Sequence, residues 1–357
     1  MRKAGYLHLE DGTILVGELF GSPTHAHGEV VFSTGMTGYP QSMTDPSFAG
    51  QILTFTYPLL GNYGVPQLKY LDKQLVSNFE SEKIWVQGII VGSLAEVASH
   101  FENSQTLDSW CVAQKIPILS GIDTRALTKK LREHGVMRGF ITDSKTPAVF
   151  DQKDFEFDYT VVSTDKVWEY MPNKKNGKHV ALIDCGVKHG IIRALLNIGY
   201  QVTRVPYNVN PLDIHKKYDG VVCSNGPGDP KDWQPTVVNV RKVLEQKIPF
   251  IGVCLGHQLL ALAIGADTYK MKYGHRGLNQ PCQEQFTKRC FLTSQNHGYA
   301  VKDDTIPDDY NAWFVNLNDQ TNEGIQHKKL PIWSSQFHPE GNPGPFDTQW
   351  IFEKFME

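Results

Sequence analysis

The chain has 357 residues, 40% of them hydrophobic and 20% charged, with a formal net charge of −3. That balance excludes a disordered chain, offers no concentrated basic face for nucleic acid, and at this length suggests about two domains. No apolar run approaches the roughly 18–20 residues of a membrane span. The opening MRKAGYLHLEDG lacks the apolar segment of a signal peptide, so a cytoplasmic protein with no membrane partner is expected. Six cysteines, at 111, 185, 223, 254, 282 and 290, are scattered without CxxC or zinc spacing, which predicts reduced thiols and no metal site.

In chain order, residues 1–145 read as a β-rich unit. Short extended runs at Tyr6–Leu9, Ile14–Leu19, Val30–Phe32 and Ile52–Tyr57 are separated by turn-formers such as GSPTHAHG and MTDPSFAGQ. A helix is predicted over Arg125–Glu133, capped by Asp123 or Thr124 and ended by a left-handed Gly135. Residues 146–177 are charged and aperiodic and read as a linker that partly packs on its neighbours.

From 178 to 357 the rhythm changes to α/β. Strands are predicted at His179–Cys185, Val202–Pro206, Asp219–Ser224 and Pro249–Cys254, with helices at Lys188–Asn197, Thr236–Gln246 and Gly256–Ile264. The alternation predicts a mostly parallel central sheet, with ligands at the C-terminal strand ends, where the turns at 225–228 and 252–256 fall. After Thr287 antiparallel strands are expected, with no long helix until Gln349–Phe355.

The chemistry concentrates in that second half. Gly252-Val253-Cys254-Leu255-Gly256 joins a strand to a helix, the logic of a nucleophile elbow with Cys in place of Ser. The helix N-terminus favours a negative sulfur, and the Leu255 N–H is placed to hold an oxyanion. The base is sought in Ile332–Glu340, where alternation in an extended run puts Gln336, His338 and Glu340 on one side. Alone, HPE also reads as an ordinary turn. Ser224–Pro230 offers backbone N–H groups or is a plain tight turn, and Ser294–Tyr299 is expected as a short loop of donors. Neither a Walker A sequence nor GxGxxG is present, so no nucleotide site is expected on this chain.

GVCLGHQ, SNGPGDP, SQNHGY and SQFHPE, in this order, resemble the class I glutamine amidotransferases. Residues 31–64, SGIDTRALTKKLREHG at 120–135 and IDCGVKHGIIR at 183–193 resemble the carbamoyl-phosphate synthase small-subunit family. The resemblance implies an amidotransferase domain of α/β class behind a smaller α+β domain, and hydrolysis of L-glutamine through a Cys254–His338–Glu340 triad. It further implies glutamine contacts from Ser47 in the N-terminal domain and from Gly226, Gly228, Leu255, Gln258, Asn296, Gly298 and Tyr299. Leu255 and Gly226 would form the oxyanion hole. A large-subunit partner is implied that binds ATP, Mg²⁺ and bicarbonate and takes up the ammonia, leaving this chain without a cofactor. The product would serve arginine or pyrimidine synthesis. An amidotransferase subunit of another synthase and a non-catalytic interaction subunit remain the alternatives. Gly190, Leu278 and Gln280 depart from the family's pattern and are expected to leave the triad intact.

Overall fold

Residues 3–72, 74–174, 176–215 and 217–354 are described in a computed structural model. The chain divides into two compact units, Met1–Asp158 and Tyr159–Glu357.

The first unit is built on a closed barrel. Its strands are β1 (Lys3–Leu9), β2 (Ile14–Gly21), β3 (Ala26–Ser33), β4 (Gln51–Phe55), β5 (Gly88–Ile90), β6 (Pro117–Ser120) and β7 (Met137–Thr142). They close in the order β1-β7-β3-β4-β5-β6-β2. Pairs β3/β4, β4/β5 and β5/β6 are parallel, and the remaining pairs antiparallel. Burial alternates strictly along β7, as it must where one face of a strand meets a core. Val31, Leu53, Ile89 and Ile118 belong to that core, and helix α1 (Leu107–Ala113) joins it by stacking Trp110 on Phe79.

Helix α2 (Thr124–His134) begins where Asp123 accepts the Ala126 N–H at 2.8 Å, an N-cap. Gly135 follows with φ 101° and ψ 172°, so the expected αL stop is corrected to a glycine that keeps a positive φ but lies outside the αL well. The chain passes directly into β7 instead of folding back over the helix end.

The second unit carries ten strands: β8 (Trp168–Tyr170), β9 (His179–Asp184), β10 (Gln201–Pro206), β11 (Gly220–Cys223), β12 (Phe250–Val253), β13 (Thr268–Glu284), β14 (Cys290–Val301), β15 (Tyr310–Asn316), β16 (Asn322–His327) and β17 (Ile332–Ser335). Their order is β8-β10-β9-β11-β12-β17-β16-β15-β13-β14. The five strands β10, β9, β11, β12 and β17 are parallel. Strand β8 and the block β16-β15-β13-β14 add antiparallel pairs on either side, so the sheet is mixed, with a parallel centre. Strand β8 lies inside the segment read as a linker.

Helices α3 (His189–Ile198) and α4 (Gln234–Glu245) cross between parallel strands, and α5 (Leu255–Ala263) leads from β12 into the antiparallel block. The chain leaves β9 toward β10 on one side and later returns to β11 on the other. That reversal opens a crevice at the C-terminal ends of β9 and β11, the position where ligands bind in such sheets. Among the described residues no helix is long and apolar enough to cross a membrane.

Leu131 is fully buried on α2 whereas Lys129 is exposed. Leu131→Ala is expected to lower stability by about 2–5 kcal/mol and Lys129→Ala by less than about 0.5 kcal/mol, compared through urea midpoints.

Candidate active site

At the end of β12 the backbone turns sharply into α5 through Cys254, which sits at φ 54° and ψ −104°. Few non-glycine residues adopt that region, and here the surroundings enforce it. A Cβ on Gly252 would overlap the Gly256 carbonyl oxygen, and one on Gly256 would overlap that of Cys223 on β11. Only glycines allow strand, turn and helix to approach this closely. The Cys254 N–H donates to the Ser335 carbonyl at 2.8 Å, which ties the elbow to β17. Leu255 is the first helical residue, so its N–H has no acceptor one turn earlier in α5. A Cβ on Gly226 would lie 2.7 Å from Leu255 Cδ2, so the glycine loop after β11 packs against the elbow.

Strand β17 stops at Ser335, three residues short of the histidine, which corrects the expected extended run to 340. Pro339, which lacks an N–H, and Gly341 at φ 60° then keep the segment that carries His338 and Glu340 in a turn. His338 instead forms an isolated bridge with Ser294 of β14, donating its N–H to the Ser294 carbonyl at 2.9 Å. Its Nδ1 meets Glu340 Oε1 at 2.7 Å, and Lys188 Nζ meets the same oxygen at 2.9 Å. All three side chains are at least 98% buried. Nε2 of His338 makes no hydrogen bond of standard geometry.

Burial opposes charge on the imidazole, yet the Glu340 carboxylate, with a smaller contribution from the Cys254 sulfur, holds His338 well above the ordinary histidine range. Burial likewise favours a neutral Glu340, but Lys188 and His338 hold it well below the carboxylate range. The arrangement can accept a proton from a sulfur nucleophile on Nε2 while Nδ1 stays bound to a carboxylate.

The rest of the predicted set divides by unit. Asn296, Gly298 and Tyr299 lie on β14, which corrects the expected loop, and the Cys254 sulfur is 3.6 Å from the Asn296 carbonyl oxygen. Gln258, one turn after Cys254 on α5, donates to the Tyr299 carbonyl at 2.9 Å. Gly228 takes φ 85° in the loop after β11 and packs beside the Tyr159 ring. The second unit therefore assembles Cys254, His338, Glu340, Leu255, Gln258, Asn296, Gly298, Tyr299, Gly226 and Gly228. Ser47 belongs to the first unit, buried in the turn Pro46–Phe48, where Asp45 accepts its N–H at 2.9 Å.

Two residues of this site were not singled out from sequence. Lys188, the N-cap of α3, supplies the second cation on Glu340, and Asn225 Oδ1 accepts the Lys188 N–H at 3.0 Å. A buried lysine inside DCGVKHG is the available signal, but its partner lies far downstream. Behind β14, His275 meets Glu323 Oε1 at 3.2 Å and Asp319 at 2.8 Å, while Asn316 donates to the same Glu323 oxygen. His297 Nε2 lies 3.9 Å from that oxygen, so the group could offer ligand atoms to a metal, but hydrogen bonds already hold it.

Residues 7–141 match the carbamoyl-phosphate synthase small chain, CPSase domain, and residues 181–357 match the class-I glutamine amidotransferase model. The arginine-specific small chain of carbamoyl phosphate synthase from Neurospora crassa is 46% identical over 98% of this chain and 78% of that protein. The small chain from Pyrococcus furiosus is 43% identical over 100% of this chain and 98% of that one. The small chain from Caldanaerobacter subterraneus subsp. tengcongensis is 46% identical over 99% and 96% respectively.

The chain belongs to the carbamoyl-phosphate synthase small-chain family. The three positions expected to depart from the family pattern lie outside the His338–Glu340–Lys188 cluster. Gly190 is in the first turn of α3, Leu278 falls in the bulge between Gly277 and Gln280, and Gln280 accepts from Asn318.

Lys188→Met leaves Glu340 buried with one cation, and a stability loss of about 3–5 kcal/mol is expected in denaturant titrations. His275 gives a separate test. Burial opposes its charge, but Asp319 and Glu323 raise its pKa to about 9 from 6.5. A raised folded-state pKa contributes stability that is complete below about pH 6.5 and lost as pH rises through about 9. The gap between wild type and His275→Asn in denaturant midpoint is therefore expected to be constant below pH 6.5 and to narrow between pH 6.5 and 9. A gap that widens with pH would contradict this assignment.

Proposed function

We propose that this chain is the glutamine-hydrolysing small subunit of a carbamoyl-phosphate synthase. The observation that carries the reading is the Glu340 oxygen shared by His338 and Lys188, in a unit whose strained elbow presents Cys254 beside the same histidine.

In this reading Cys254 Sγ attacks the side-chain carbonyl carbon of glutamine. The carbonyl π pair moves to oxygen, and the N–H groups of Leu255 and Gly226 stabilise it. The sulfur's proton passes to His338 Nε2, held in place by Glu340 at Nδ1. That proton then moves to the amide nitrogen, the C–N bond breaks and ammonia leaves a thioester on Cys254. Water, deprotonated by His338, attacks the thioester and releases glutamate and the free thiol.

Asn296, Gly298 and Tyr299 on β14 would flank the substrate. Ammonia would pass to a large subunit that holds ATP, Mg²⁺ and bicarbonate, with no cofactor on this chain. The family membership and the names of the relatives support that partner. Delivery without release to water keeps the nitrogen as ammonia, since ammonium has no lone pair to attack with.

Glutamate release from glutamine, measured on the chain alone and with its large subunit plus ATP and bicarbonate, tests the proposal. Weak activity alone and strong stimulation in the complex are expected. Cys254→Ala should lower glutamine-dependent turnover at least about 10³-fold while ammonia-dependent synthesis by the complex persists. Full activity alone, indifferent to the partner, would overturn the coupling.

A further inference from the structure

Gln336 is fully buried between β17 and the His338 turn. Its backbone N–H donates to the Glu323 carbonyl at 2.9 Å, its side-chain Oε1 accepts from Gln258 Nε2 at 3.0 Å, and its own Nε2 has no hydrogen-bond partner. An orphaned buried amide is destabilising, so the orientation that creates it needs a reason.

The reason starts at a group whose polarity cannot be exchanged. The Tyr299 carbonyl oxygen can only accept, and Gln258 Nε2 lies 2.9 Å from it. The nitrogen end of Gln258 faces inward between two acceptors, the Tyr299 carbonyl and Gln336 Oε1, and without Gln336 a single bond would remain to hold that orientation. Gln336 must in turn present oxygen there, which strands its own nitrogen. Both N–H bonds of Gln258 are then used, and Oε1 is the hydrogen-bonding atom of that side chain left unused among the described residues. Gln258 stands one helical turn after Cys254, on the same face of α5.

We propose that Gln336 is a positioning residue, which locks the Gln258 amide with its oxygen available and so makes that point of the site select a substrate bearing a protonated amine. The inference rests on the glutaminase reading and deepens it: the group recognised is the α-ammonium of glutamine. The cost of the orphaned nitrogen is offset by a fixed acceptor that a freely rotating amide would lack.

The test uses the full chain with its large subunit, ATP and bicarbonate, and compares kcat/KM for glutamine and for glutaramate, its analogue without the α-amino group. Wild type should prefer glutamine by at least about tenfold, as for a hydrogen bond to a charged group. Gln336→Met removes the acceptor. It should lower kcat/KM for glutamine by about tenfold or more, chiefly through KM, with glutaramate changed by less than about threefold. Gln336→Glu keeps an acceptor oxygen in either protonation state and should hold the wild-type preference.

A Met variant that keeps the preference, or loses both substrates equally, overturns the proposal. If the Met variant does not fold, the Glu variant decides, because loss of the preference there is equally fatal. Wild type that hydrolyses neither substrate refutes the glutaminase reading itself. Wild type that hydrolyses both equally well refutes only the role of Gln336.

Discussion

The backbone of Cys254 is the constraint around which the second unit is arranged. A residue held at φ 54° and ψ −104° costs of order 1–3 kcal/mol and would relax if its neighbours allowed. They do not, because the elbow is wedged between two parallel strands. β11 presents the Cys223 carbonyl against Gly256, and β17 takes the Cys254 N–H at Ser335. The strain is therefore stored by sheet pairing, β11/β12 on one side and β12/β17 on the other. A side chain on Gly256 would push α5 off β11, and one on Gly252 would push β12 off the first turn of α5. The placement of Cys254 and the sheet's register are one structural fact.

The histidine is fixed by a different means. Beyond Ser335 no ladder holds the chain, and the turn carrying His338 and Glu340 is pinned by the Ser294 bridge and by charge. One carboxylate oxygen meets two cations from two separate segments, and all three groups are out of water. Such a trio contributes little net stability, because desolvation consumes most of the attraction. What it provides is specificity of placement: Glu340 has one position that satisfies both Lys188 and His338. The end of β9 is thus coupled to the turn after β17, across the crevice where the strand order reverses.

The sequence was legible where chemistry is local. The elbow, the alternation of strands and helices from His179 to Ala263, and the Asp123 cap each need only neighbours within a turn or two. The antiparallel strands expected after Thr287 are present, but within β14 the segment Ser294–Tyr299 reads as a loop because its glycine and amide residues resemble turn formers, whereas pairing with β13 decides its state. The extended run to Glu340 was over-read because alternation persists in the sequence after the ladder has ended. Lys188 was passed over for a deeper reason. A lysine ordinarily signals a surface, and nothing near it in the chain shows that a carboxylate from beyond β17 will bury it.

The same dependence on distant partners explains the layer behind the site. Glu323 on β16 accepts the Gln336 N–H with its carbonyl and holds His275 and Asn316 with its side chain. His275 lies on β13, the strand that pairs with β14 and so sets where Asn296 and Tyr299 stand. Through one glutamate the antiparallel block is tied to the turn that carries the base. Tyr299 closes the circuit, since its carbonyl accepts from both His297 Nδ1 and Gln258 Nε2. The parallel centre of the sheet positions the nucleophile, and the antiparallel block positions what faces it. Neither half could be shifted by one residue without separating Cys254 from the groups aligned with it, because a one-residue slip turns every side chain to the other face.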